Sequence, residues 1–124
     1  MMPKNQNIKS NKIFLFDIDN TVCFTSKRKY SLAKPKKKII KVINLLKKNG
    51  HIIKLFTSRY MGRHNDNGKL VHKKYYKKTF NQMKKWNISF DILIMGKPSY
   101  DFLIDDKSLN PKNINVNNFL KKYI

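Results

Sequence analysis

The sequence predicts a single α/β domain whose core is a mostly parallel sheet of about four strands. Three observations point there. Short apolar runs alternate with amphipathic runs, the signature of a repeated strand–helix unit. A length of 124 residues leaves room for one domain, large enough to bury about two-thirds of the surface its unfolded chain would expose. The polar residues with distinctive chemistry fall where the apolar runs end, at the edge where open parallel sheets bind their ligands.

Each element has a local reason. Residues 1–11 are polar and are expected to form a flexible lead into the domain. Ile13 to Phe16 is a nearly continuous apolar run closing on Asp17, as in a buried central strand. A polar stretch follows to about Ala33. Pro35 then stands where a helix can start, and Ile39, Ile40, Val42, Ile43, Leu45 and Leu46 interleave with lysines until Gly50 ends the pattern. Ile52, Ile53, Leu55 and Phe56 form a second strand ending on Thr57. The segment from Ser58 to Lys69 holds Gly62, Asn65, Asn67 and Gly68 and reads as a loop. A second helix is expected from Leu70 to about Trp86, packing through Tyr75, Phe80, Met83 and Trp86. Ile92 to Met95 reads as a third strand and Phe102 to Ile104 as a fourth, separated by the turn-like GKPSY. Val116 to Tyr123 is expected to close the chain as a short helix.

Composition narrows the function. The formal net charge is +21, with 28 Lys and Arg against 7 acidic residues, and all of those acids are aspartates. Such a chain attracts polyanions, although abundant Lys, Asn and Ile also fit an AT-rich coding bias. No apolar run approaches the ~18 residues of a membrane span and the first residues do not read as a signal peptide, so a cytoplasmic, non-membrane protein is expected. Cys23, the one cysteine, offers neither a disulfide nor a metal-ligand spacing and reads as a small packed residue. His51, His64 and His72 lack zinc-ligand spacing. The helical spacing of Tyr75, Tyr76, Phe80 and Trp86 favours core packing over a base-stacking platform.

Four of the seven aspartates stand in two tight pairs, Asp17 with Asp19 in FDIDNT and Asp105 with Asp106 in LIDDKS. Crowded carboxylates repel unless a cation sits between them. A hard divalent ion such as Mg²⁺, held by one or two carboxylates with waters and phosphate oxygens, is the usual solution. The pairs therefore point to metal-dependent phosphoryl chemistry, with Thr57 and Lys97 at two further strand ends.

The segments FDIDNTVCFT, YSLAKP, the TSR of Thr57 to Arg59, the loop with Asn67-Gly68-Lys69, and GKPSYDFLIDDKSLNP together resemble the four-motif pattern of the haloacid dehalogenase superfamily of phosphatases. The resemblance is closer to its small members linked to capsule and surface-polysaccharide biosynthesis. It spans about Phe14 to Pro111. It implies a Rossmann-like three-layer sandwich, a single domain of this type over residues 1–124, and phosphate-monoester hydrolysis through an aspartyl-phosphate. In that scheme Asp17 is the nucleophile and Asp19 the proton shuttle. Thr57 and Lys97 bind and neutralise the phosphoryl group. Mg²⁺ is held by Asp17, Asp19 and the later pair, with Asp106 as direct ligand and Asp105 in support. Thr21, Ser58, Arg59, Asn67 and Lys69 are candidates for substrate binding or for ordering its loops, and Arg63, His64 and Asn65 could add contacts to a phosphorylated sugar.

The intervals after the first and third strands are too short for a cap domain. An uncapped site implies a bulky substrate or a neighbouring subunit, and a homo-oligomer lined by Arg59 to Lys69 is one expectation. The favoured substrate is a small-molecule phosphate monoester, a sugar phosphate of polysaccharide biosynthesis. The alternatives are a phosphatase of nucleic-acid 3′-phosphate ends, suited by the basic charge, and a non-catalytic polyanion-binding protein. A phospho-accepting receiver module is disfavoured by motif order, because its acidic pair comes first and here the Asp-Asp comes last.

Overall fold

A computed structural model describes residues 11–124, so the expected flexible lead falls, apart from Asn11, outside the described residues. Strand β1 (Ile13–Asp17) runs into a small antiparallel hairpin, β2 (Cys23–Phe24) with β3 (Lys34–Pro35). Helix α1 (Lys37–Lys48) leads to β4 (Ile52–Phe56), helix α2 (Gly68–Lys85) to β5 (Ile92–Ile94), and helix α3 (Val116–Tyr123) closes the chain. The main sheet is parallel, in the order β1-β4-β5.

Two successive crossovers in the same direction, each right-handed, place their helices on one face of a sheet. Side-chain hydrogen bonds tie α1 to the turn after α2: Asn44 Nδ2 donates to the Asn87 carbonyl at 2.9 Å, and the Ser89 amide donates to Asn44 Oδ1 at 2.8 Å. Ile40, Val42, Ile43 and Leu46 of α1 and Val71 and Met83 of α2 join Ile53, Leu55 and Leu93 in the core. Phe14 lies on the same face, edge-on to Phe119 and Tyr123 of α3. His51 completes this corner. It accepts from the Lys12 amide through Nδ1 at 2.9 Å and meets the Tyr123 carbonyl through Nε2 at 2.7 Å, which fixes the proton on Nε2.

Three sequence expectations are corrected here. Phe102–Ile104 is not a strand among the described residues: none of them pairs its backbone with it, and Phe102 and Ile104 are 86% and 95% exposed. A parallel partner needs a crossover of about a dozen residues or more, and the short stretch Met95–Asp101 cannot supply one with a helix in it. The described sheet therefore has three strands. Nor do the described residues form three layers. The positions alternating with the core, Ile13, Leu15, Ile52 and Ile92, leave 61%, 57%, 40% and 45% of their surface in solvent on the face away from the helices. Finally, Pro35 lies in β3, and α1 starts at Lys37 because the Lys36 amide is held by the Val22 carbonyl at 2.9 Å.

Candidate active site

The carboxyl ends of the three parallel strands each deliver a polar group. Asp17 is the last residue of β1, Thr57 follows β4, and Lys97 follows β5. Backbone bonds lock the last two together: the Thr57 amide donates to the Ile94 carbonyl at 3.1 Å, and the Lys97 amide donates to the Thr57 carbonyl at 3.0 Å. Gly96 makes that turn with φ +89°, a conformation natural to glycine, and its Cα faces Gly68 at the start of α2 so closely that an added Cβ would stand 3.3 Å from it.

Lys97 Nζ lies 3.5 Å from Asp17 Oδ1 and donates to the Tyr100 hydroxyl at 2.9 Å. Its side chain is largely buried, flanked by Phe56 and Tyr100. Burial pushes the Asp17 carboxyl above its ordinary value. Lys97 and the Ile18 amide oppose that rise, and the nearby charge of Asp19 adds to it. A desolvated carboxylate beside another acid is one that cations stabilise.

Asp19 is held from two sides. Arg59 Nε donates to Oδ1 at 3.1 Å and to Oδ2 at 2.9 Å, and the Thr25 hydroxyl donates to Oδ1. Arg59 is 2% exposed, with its guanidinium also bonded to Gln82 Oε1, close to Cys23 Sγ, and seated over the Tyr30 ring. Gln82 in turn donates to the Tyr30 carbonyl at 2.8 Å. Arg59, expected to read substrate, thus orients Asp19. Cys23 is a packed thiol whose pKa burial raises, which disfavours the reactive thiolate.

Asp17 and Asp19 open into a cleft of about 510 Å³ lined also by Asn20, Thr25, Lys27, Arg28, Tyr30, Ser58, Arg59, Tyr60, Gly62, Arg63, Ser99 and Tyr100. The loop after β4 therefore lines the cleft of its own chain. Ser58 Oγ donates to the Pro98 carbonyl at 3.0 Å and Ser99 Oγ to Asp66 at 2.8 Å, which pins GKPSY to that loop.

The other sequence candidates sit elsewhere. Asn67 caps α2, its Oδ1 accepting from the Leu70 amide at 3.1 Å, and Lys69 is an exposed residue of the first turn. His64 is bonded to the Tyr75 hydroxyl at 2.8 Å. Thr21 takes part in a turn through its amide, which donates to the Ile18 carbonyl. Asp105 and Asp106 are exposed and do not line the cleft; Asp105 accepts from the Lys107 amide at 3.1 Å, a turn that holds its pKa below the ordinary value. The expected metal set of Asp17, Asp19, Asp105 and Asp106 is thus reduced at the cleft to Asp17 and Asp19. Sequence reasoning missed Thr25, Tyr30, Gln82, Lys27 and Arg28. Thr25 and Tyr30 lie within the quoted segments FDIDNTVCFT and YSLAKP but no role was assigned to them there, and only the hairpin and α2 bring these residues to the strand ends.

Fold and site together define an α/β protein with an acidic pair and a lysine at the carboxyl edge of a parallel sheet. A crystal structure of a structural-genomics target from Vibrio cholerae is similar, with a TM-score of 0.78 over 90% of this chain and 96% of that one at 20% sequence identity. At that identity the likeness shows the fold alone. No family model and no curated protein matches the sequence. Among the described residues no helix is long and apolar enough to cross a membrane.

Proposed function

We propose that this protein is a Mg²⁺-dependent phosphatase that hydrolyses a phosphate monoester through an aspartyl-phosphate on Asp17. The observation that carries the reading is the triad of strand ends, with Lys97 Nζ 3.5 Å from the Asp17 carboxylate and the buried Thr57 accepting from the Lys97 amide through its backbone carbonyl. The order of Asp17, Asp19, Thr57 and Lys97, which resembles the haloacid dehalogenase superfamily, supports it.

In this reading an Asp17 oxygen attacks phosphorus as the bond to the leaving oxygen breaks. Asp19 gives a proton to that oxygen and later takes one from the water that cleaves the acyl phosphate. Lys97 neutralises the phosphoryl group, and Thr57 Oγ1, which accepts from the Arg59 amide at 3.0 Å, keeps its own proton for a phosphoryl oxygen.

Among the described residues no three His, Cys, Asp or Glu side chains gather as a metal cage. Mg²⁺ does not require one, since it binds through one or two carboxylates with phosphate and water. The desolvated Asp17 carboxylate and the backbone carbonyl of Asp19 would hold it, and it would supply charge neutralisation at the phosphoryl oxygens.

The favoured substrate is a sugar phosphate of surface-polysaccharide synthesis, with the reaction in the cytoplasm. A net charge of +21 favours nucleic-acid 3′-phosphate ends as the second reading. The test is phosphate release from sugar phosphates, nucleotides and 3′-phosphorylated oligonucleotides, with Mg²⁺ or EDTA, against Asp17→Asn. Release that needs both Mg²⁺ and Asp17 is expected. Release that survives Asp17→Asn refutes the mechanism, and none from any member of the panel turns attention to polyanion binding.

A further inference from the structure

We infer that the substrate carries a second anionic group, a carboxylate or a further phosphate, recognised by Lys27, Arg28 and Arg63 at the mouth of the cleft. This rests on the phosphatase reading and narrows its substrate class.

The cleft holds more positive charge than one phosphoryl group uses. Lys97 serves Asp17 from beside the cleft and Arg59 is committed to Asp19, yet Lys27, Arg28 and Arg63 also line the cavity into which the two aspartates open. Among the described residues, none of the ion pairs Lys47–Asp91, Arg59–Asp19 and Lys97–Asp17 involves Lys27, Arg28 or Arg63. Like charges lining one cleft repel one another, and an anion bound there relieves that cost.

The backbone independently marks this cleft. Lys27 and Arg28 are consecutive residues with φ of 51° and 58°, the left-handed region that side chains other than Gly, Asn and Asp seldom enter. Such conformations persist where surrounding structure imposes them, and they cluster at ligand sites. Here the turn carries Arg28 to the opposite loop, where its Nη1 comes within 4.0 Å of the Cβ position of Gly62, next to Arg63. Arg63 lies over the Tyr60 ring at 5.1 Å, and Tyr60 is stacked on Tyr75 at 3.7 Å. Arg28 and Arg63 thus come from two loops to line one cleft, with an aromatic support under Arg63. Guanidinium forks suit carboxylate and phosphate alike.

The deciding quantity is the ratio of kcat/KM for esters with a second anion to that for esters without one. Glucose 6-phosphate and p-nitrophenyl phosphate lack it, 6-phosphogluconate carries a carboxylate, and glucose 1,6-bisphosphate a second phosphate; the last two separate the anion types. Wild type should favour at least one of the doubly anionic esters, and Arg28→Gln/Arg63→Gln should lower that ratio by at least about tenfold. Lys73→Gln/Lys77→Gln, which removes the same charge from an exposed stretch of α2, should leave the ratio unchanged. Calorimetric titration of Asp17→Asn with 6-phosphogluconate and glucose 6-phosphate gives the same comparison without turnover, and circular dichroism checks that each variant is folded. A wild-type ratio near one overturns the inference, as does an equal fall in both double variants or tightest use of an oligonucleotide with steep salt dependence. Asp17-dependent release with a ratio near one would leave the phosphatase reading standing. No release, combined with tenfold tighter binding of 6-phosphogluconate that Arg28→Gln/Arg63→Gln abolishes, would leave the anion site standing instead.

Discussion

Arg59 grips Asp19 through a single nitrogen, Nε, which reaches both carboxylate oxygens at 3.1 and 2.9 Å while the arginine side chain is only 1% exposed. A buried guanidinium this fully engaged cannot also reach for substrate without abandoning a carboxylate. Removing it leaves Asp19 without its cation and opens a hole beside Tyr30 and Gln82. Arg59→Ala should therefore destabilise the fold by about 3 kcal/mol, in the range for breaking a largely buried pair. Arg59→Lys should keep the charge and lose the fork, retaining most of the stability and little activity. Urea denaturation beside phosphate release distinguishes the two. Equal stability of Arg59→Ala and wild type would contradict the assignment.

Asp17 presents the opposite balance. A carboxyl whose folded-state pKa lies above its unfolded value binds its proton more tightly when folded. The ionised form thus costs stability above the folded pKa, and the cost vanishes as pH falls below the ordinary value of 3.8. Asp17→Asn should reduce phosphate release by more than about a thousandfold. It should also raise the melting temperature near pH 7 by roughly 1–4 °C, a gain that disappears below pH 3.8. A lower melting temperature at neutral pH would mean that the Lys97 pair outweighs desolvation.

Gly96 and Gly50 share a φ of +89° but not a neighbourhood. At Gly96 a Cβ meets the Gly68 backbone at 3.3 Å, whereas at Gly50 it meets the side chain of Asn11. Both alanine variants should lose about 1–3 kcal/mol from the strained conformation. Only Gly96→Ala should also lower kcat, by at least about tenfold, because the turn it distorts aims Lys97 at Asp17. Matched losses of activity in the two variants would disconnect this turn from the site.

Helices and strands with strong periodicity could be read from the sequence, since Ile40, Ile43 and Leu46 or Ile53 and Leu55 leave the chain few ways to bury them. Val116–Tyr123 was legible for the same reason. Phe102–Ile104 was misread because an apolar triplet specifies burial without specifying a partner, and no strand of the described residues lies beside it. At the site, Asp17, Asp19, Thr57 and Lys97 stood out by their places at run ends. The Arg59–Asp19 pair and the Thr25 and Gln82 contacts depend on how the hairpin and α2 fold back, and no local pattern encodes them. Asn67, a binding candidate from the sequence, caps α2 in the structure, and a short amide suits both tasks.

Thr79 offers a test of the core away from the chemistry. Its side chain lies on α2, the residue is 1% exposed, and its hydroxyl has no hydrogen-bond partner among the described residues. A buried hydroxyl without a partner carries its desolvation cost uncompensated, whereas a methyl of the same size would not. Thr79→Val keeps the β-branched shape, and so the rotamer and the packing around Met83 should survive. The expected result is a gain of about 1 kcal/mol in urea denaturation with the m-value unchanged. Phosphate release should not change, because Thr79 touches none of the residues lining the cleft through its hydroxyl. A loss of stability would reveal a hydroxyl bond to a water or a helix carbonyl, the usual resort of threonine inside a helix.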